Sequence, residues 1–235
     1  DRIKIDNEIE LQRFLRKNVY DGLNVTLPYK EKLLDYKYKI NSRAESIGSA
    51  NIITYVNDEI VINNTDWYGF ILAMNNNKIK FNNKEVLIIG YGGVGKSVLY
   101  AINKLNPKRI KIFNRKSLKN MFFPNNTFTY SFRSINENIK NDSIIVNCTS
   151  IGLNSEESPL SNEMINENQT VIDVIYKANG SKLINLAKKK GARVMDGLDM
   201  FIYQGLISHE IWFDNKIIDK LDIDMIRQYL RESQC

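Results

Sequence analysis

The 235-residue chain is 43% hydrophobic, 10% aromatic and 26% charged, which fits an ordinary folded protein and excludes a disordered or collagen-like one. Its apolar runs fall short of the roughly 18–20 residues that span a bilayer and no apolar leader opens it, so no membrane partner is expected. The net charge of +6 arises from basic residues interspersed with acids, without a nucleic-acid reader motif, and the two cysteines, Cys148 and Cys235, form neither a disulfide framework nor a metal site; a cytoplasmic location is expected.

The chain opens at Asp1 without a Met, as expected of a sequence that begins inside a domain, and Arg2 to Ile5 alternates as a strand would. Ile9, Leu11, Phe14 and Leu15 form a short helical stripe, and Gly22 to Thr26 reads as a strand that Pro28 ends. Two β-rich runs, Ile52 to Val56 and Glu59 to Ile62, flank Asn57-Asp58, a hairpin signal. Asp66 then sits just past a strand end. The amide-rich stretches around Asn75 to Lys78 and Asn82 to Lys84 carry no apolar period, so a domain boundary is expected near residue 80.

Beyond it the pattern predicts strand 86–89, helix 93–105, strand 109–113, a less regular stretch, strands 144–147 and 170–174, helix 181–189, strand 192–195 and helix 198–213. Alternating helices and continuously apolar strands mean a parallel sheet covered on both faces. The expected fold is α/β: a small N-terminal α/β domain (1–80), a Rossmann-type doubly wound parallel sheet (81–213) and a C-terminal helix (214–235). The last carries Leu221, Ile223, Met225, Ile226 and Leu230 at helical spacing, and the C-terminal helices are expected to pack back across the junction.

Gly90-Tyr-Gly92-Gly93-Val-Gly95 follows a buried strand and opens a helix, the setting in which G-x-G-x-x-G binds a dinucleotide. Glycines permit the turn, the approach of a pyrophosphate and close helix packing, while the helix N-terminus offers N–H groups to phosphate. An acid after the next strand would select NAD; here Asn114-Arg115-Lys116 follows instead, and Arg can fork onto a 2′-phosphate. NADP is therefore the expected cofactor. Asn147 to Gly152 lies at another strand end on the same rim, with Thr149 toward the cofactor, whereas Cys148 and His209 read as packing residues.

Hydride transfer to a carbonyl needs a proton donor beside the developing alkoxide, a role open to Lys30 with Asp66. Taken singly, each is better explained by structure, Lys30 as a solvated lysine and Asp66 as the cap of a helix beginning at Trp67.

Their surroundings change that weighting. Asn24-Val-Thr26-x-Pro28-x-Lys30, Ala50-Asn51, Asn64-Thr65-Asp66-x-x-Gly69, the glycine-rich turn and Asn114-Arg115 appear in order. Asn147-x-Thr149-Ser150-x-Gly152, Asp173-x-x-Tyr176, Gly191, Gly197-x-x-Met200 and Gln204 follow. In this order, from about residue 20 to about 213, the chain resembles the shikimate dehydrogenase family. The resemblance implies NADP-dependent interconversion of shikimate and 3-dehydroshikimate in aromatic amino-acid biosynthesis. It implies that Lys30 and Asp66 are the catalytic pair, with Lys30 the proton shuttle, and that Thr26, Asn51 and Gln204 contact substrate. Tyr176 is expected near substrate and nicotinamide, and Gly90, Gly92, Gly93, Asn114, Arg115, Thr149 and Gly197 on the cofactor side. Polar groups of this kind suit a triol carboxylate.

Two departures stand out. The family's opening strand and Ser-x-Ser-Pro segment, which hold the substrate carboxylate, are absent here. A partial sequence, a larger gene fused to another shikimate-pathway module, or a decayed copy is expected, with unpaired sheet edges and exposed apolar surface. Tyr91 and Val94-Gly95 also stand where the family commonly has small residues, so Tyr91 is expected to alter cofactor access. The alternatives are a quinate/shikimate relative with NAD or mixed preference, against which Arg115 argues, and a non-catalytic cofactor-binding module without carboxylate recognition.

Overall fold

The computed structural model describes residues 1–233, so Cys235 lies outside the described residues. Asn7 caps α1 (Glu8–Leu15) by accepting from the Glu10 N–H, and Leu11 and Leu15 bury against Leu33, Ile53 and Ile62. Residues 2–5 are irregular, which corrects the strand expected there. Its alternation holds only two apolar residues; Ile3 stays 38% exposed, and Ile5 is tethered through its carbonyl by the Tyr29 hydroxyl.

β1 (Gly22–Asn24), β2 (Lys39–Ile40), α2 (Ser42–Ile47), β3 (Ile52–Val56) and β4 (Glu59–Asn63) follow. The sheet order is β1-β3-β4-β2, leaving β1 and β2 as edges. Asn57 and Asp58 both adopt positive φ, 49° and 63°, the mirror-image turn that matches the twist of a two-residue hairpin. α2 escaped the sequence reading because six residues with only Ala44 and Ile47 buried show no period.

α3 (Asp66–Asn76) leads into the larger sheet: β5 (Glu85–Ile89), α4 (Gly93–Asn103), β6 (Arg109–Asn114), β7 (Thr127–Ser131), α5 (Ile135–Asn138), β8 (Ile144–Asn147), β9 (Thr170–Asp173), α6 (Lys182–Lys189) and β10 (Arg193–Met195). All neighbours are parallel, in the order β10-β9-β8-β5-β6-β7. Strand order reverses between β5 and β8, the place where doubly wound sheets bind ligands. β7 falls in the stretch that reads as irregular; as an edge strand with half-exposed side chains it lacks the continuous apolar run of its neighbours.

α7 (Leu198–Phe213) crosses the junction between the sheets. It lies against α3 so closely that a Cβ on Gly69 would stand 2.8 Å from the Gln204 nitrogen. At its far end Trp212 covers Gly22 and donates Nε1–H to the Ile53 carbonyl (3.0 Å). α8 (Ile223–Glu232) packs back beside α7, as expected of the C-terminal helices. No helix among the described residues is long and apolar enough to cross a membrane.

Candidate active site

The segment after β1 delivers Lys30. The Tyr29 N–H closes a turn onto the Thr26 carbonyl (3.0 Å), and the Ala50 N–H anchors the Lys30 carbonyl (2.7 Å). Asp66 is the first residue of α3, which faces its carboxylate toward a helix N-terminus. Lys30 Nζ and Asp66 Oδ2 lie 2.6 Å apart, and both side chains are buried. The other oxygen, Oδ1, accepts from Asn51 Nδ2 (3.0 Å). That amide also lies 2.9 Å from Thr65 Oγ1 and 3.0 Å from Gln204 Oε1, while Asn51 Oδ1 accepts the Thr65 N–H (2.7 Å). With both carboxylate oxygens held, Asp66 fixes the direction of the Lys30 ammonium. Such a cation beside an open cleft can stabilise a developing alkoxide and donate a proton there, and the neutral amine it becomes can take one back.

The cleft, about 570 Å³, is lined by Thr26, Lys30, Asp66, Gln204 and Gly197 among others. Asn51 stands behind Asp66 and is 1% exposed. Tyr176 is half-buried, its hydroxyl donating to the Leu230 carbonyl (2.8 Å).

The glycine-rich turn enters α4 at the strand-order reversal. Gly90 has φ +92°, and a Cβ on Gly95 would meet the Gly90 carbonyl oxygen at 2.4 Å. Gly93 serves a further purpose: its missing side chain admits Lys30 Cβ and Ser49 Oγ, each 2.8 Å from where a Cβ would stand. Asn64 Nδ2 bridges the Ser49 carbonyl (2.8 Å) and Ser97 Oγ (2.9 Å), so the first turn of α4 docks onto the loops that carry the polar pair. Lys96 adds a salt bridge to Glu31 (2.5 Å).

At the end of β6, Asn114 Oδ1 accepts the Tyr91 N–H (3.3 Å), and Arg115 and Lys116 are exposed. The Tyr91 ring rests on Phe123, centroids 5.3 Å apart, and burial raises its hydroxyl to about 12. Thr149 donates both N–H (3.0 Å) and Oγ1–H (2.7 Å) to Asn147 Oδ1, and its methyl group lies beneath Gly90. Asn147 in turn donates to Asp173 (2.9 Å), which also accepts from Ser181 (2.5 Å) and the Ile175 N–H (3.1 Å). Burial pushes Asp173 up to about 6 despite these hydrogen bonds. For a dinucleotide the parts fit: a tight glycine turn at a helix N-terminus, a cationic strand end, and open rim between them. Burial raises the Cys148 thiol, and His209 rests on Phe213 with centroids 4.7 Å apart, so both pack as read.

Ser208, Glu31 and Lys96 stand outside the motifs legible in the sequence, and Asn24 and Thr65 occur in those motifs without a role of their own. Ser208 Oγ donates to Asn24 Oδ1 (2.9 Å) and lies 3.2 Å from Thr65 Oγ1, supporting Asn51 from the α7 side. Its position four residues after Gln204, one helical turn, was the available signal.

Comparison with known proteins bears on the same residues. The family described as shikimate dehydrogenase substrate binding domain matches residues 2–53. A shikimate dehydrogenase (NADP(+)) of Clostridium botulinum is 34% identical over 218 residues, 92% of this chain and 84% of that protein. The crystal structure of shikimate dehydrogenase 1 from Peptoclostridium difficile superposes with TM-score 0.85 at 28% identity, covering 95% of this chain and 82% of the other. That of Thermus thermophilus, in complex with NADP(H) and shikimate, gives TM-score 0.78 at 26% identity over 89% and 80% of the two chains. A polar pair beside a dinucleotide turn, in a chain this similar over this length, leads to one assignment: the chain belongs to the shikimate dehydrogenase family.

Proposed function

We propose that the chain catalyses the reversible, NADP-dependent oxidation of shikimate to 3-dehydroshikimate. The observation that carries this reading is the buried Lys30–Asp66 pair at 2.6 Å, opening on a cleft next to the first turn of α4. Residues 1–80 supply the substrate side and 81–213 the cofactor side, and α8 packs beside α7 at the junction.

Bound NADP supplies the acceptor for the hydride that leaves the substrate carbon. Lys30 Nζ takes the proton of the reacting hydroxyl during oxidation and returns it to the carbonyl oxygen during reduction. Asp66 positions that amine, and Asn51 positions Asp66. Thr26 and Gln204 offer hydrogen bonds to the remaining hydroxyls, and Tyr176 stands by as a further polar neighbour. Gly90, Gly92 and Gly93 let the pyrophosphate reach the α4 N-terminus, with Thr149 and Gly197 shaping the rim. Asn114 orders the end of β6, from which Arg115 and Lys116 meet the 2′-phosphate, with an amide and two cations in the place where a carboxylate would repel it.

The test is steady-state turnover of purified protein with shikimate and either NADP or NAD. Shikimate-dependent reduction of NADP, abolished in a folded Lys30→Ala variant, is expected. A folded parent protein that reduces neither cofactor, yet binds NADPH, would make the chain the non-catalytic module instead.

A further inference from the structure

The cleft lining mixes two chemistries. Asn24, Thr26, Lys30 and Asp66, from the segments before residue 80, and Gln204 of α7 carry polar atoms, whereas Val94, Val174, Met200, Ile226 and Leu230, from beyond that boundary, are apolar. Ile226 and Leu230 come from α8, one helical turn apart on one face. No residue of α8 is fully buried, and at its first turn Ile223 reaches the main core only part-buried.

Polar contacts supply the rest of its hold. Arg227 grips both oxygens of Asp199, Nε at 2.7 Å and Nη2 at 3.2 Å, and Arg231 reaches Asp196 at 2.9 Å. The Tyr176 hydroxyl donates to the Leu230 carbonyl. Asp196 and Asp199 flank Gly197, whose backbone itself lines the cleft, and a Cβ there would stand 2.1 Å from the Val174 carbonyl oxygen. The two arginines thus anchor α8 to the turn that forms the cleft wall, and the anchorage seats Ile226 and Leu230 beside Val174 and Met200.

An apolar wall of this kind is a poor neighbour for a triol carboxylate, whose hydroxyls would lose water without replacement. It suits the flat, uncharged face of a reduced nicotinamide ring. We propose that Ile226 and Leu230 of α8 form part of the nicotinamide-binding wall, making the C-terminal helix a component of the cofactor site. This rests on the functional reading above for the identity of the cofactor.

The experiment titrates full-length protein with NADPH, followed by its fluorescence, and with adenosine 2′,5′-bisphosphate, which lacks the nicotinamide. Ile226→Ser combined with Leu230→Ser should weaken NADPH by about tenfold, the scale of losing buried apolar contact. The bisphosphate should bind within about twofold of the parent, as should NADPH to Met225→Ser, whose side chain is 65% exposed. Unchanged NADPH affinity in the double variant overturns the proposal, and so does equal weakening of both ligands. Should the double variant fail to fold, Leu230→Phe, which adds volume at the same wall, is read by the same criteria. A parent protein that never oxidises shikimate but shows this NADPH pattern would sink the functional reading and leave the wall standing.

Discussion

Gly93 and Lys30 touch across the junction between the two sheets: a side chain on Gly93 would place its Cβ 2.8 Å from Lys30 Cβ. The glycine of a dinucleotide turn is therefore also the seat of the proposed proton shuttle. Gly93→Ala must push Lys30 or α4, because the obstructing atoms are a Cβ and the buried Ser49 hydroxyl rather than the end of a flexible chain. A displacement of about 1 Å at a reacting group can cost on the order of 10²-fold in rate. The expected result is a loss of kcat of that order with the fold retained by circular dichroism. A kcat within about threefold of the parent would show that this contact does not position Lys30.

The pair itself makes a separate prediction. Lys30 and Asp66 side chains are 11% and 4% exposed, so removing either leaves a buried charge uncompensated. Lys30→Met and Asp66→Leu should each destabilise by about 3–5 kcal/mol in urea unfolding, and the double variant by less than either. All three should lose activity, by on the order of 10²–10⁴-fold for a missing proton-transfer group. Additive destabilisation in the double variant would refute the coupling.

Much of this site is legible in the sequence because its parts sit at strand ends, and strand ends are where periodicity breaks. The glycine turn follows the apolar run of β5, and Asp66 follows the hairpin of β3 and β4, so position along the chain already places both on a rim. What sequence cannot supply is which loops converge. Glu31 meets Lys96 across 65 residues, and Asn24 meets Ser208 across 184; neither partner carries a local pattern that names the other. The same holds for α8, whose amphipathic spacing announces a helix but not that Ile226 and Leu230 face the cleft. Short or edge elements, α2 and β7, were hidden for a different reason: few of their residues are buried, and burial is what writes a period into sequence.

Cofactor choice turns on the exposed cations after β6. Arg115→Ala combined with Lys116→Ala removes the charge-assisted hydrogen bonds proposed for the 2′-phosphate, each worth about 1.5–3 kcal/mol. NADP kcat/KM should fall by about 10²–10⁴-fold, while NAD kcat/KM, which has no phosphate to lose, should stay within about threefold. Equal losses with both cofactors would assign these residues to something other than phosphate recognition.

Asp173 sets a pH dependence that does not pass through Lys30. Burial pushes its carboxyl from 3.8 up to about 6, against hydrogen bonds from Ser181, the Ile175 N–H and Asn147, with Asp196 adding repulsion. The folded protein thus holds this proton more tightly than the unfolded chain does. Its contribution to stability is complete below the unfolded value, and is lost as pH rises through about 6. The loss is on the order of 3 kcal/mol at most, at about 1.36 kcal/mol for each pH unit between the two values. Asp173→Asn cannot ionise, and its amide can still accept from Asn147 and the Ile175 N–H while donating to Ser181. The stability of the parent relative to this variant, measured by urea unfolding at several pH values, should therefore decline from about pH 4 to about pH 7. A difference that is flat across that range would mean Asp173 titrates as an ordinary carboxylate, and the polar cluster beneath Thr149 would then be wet rather than dry.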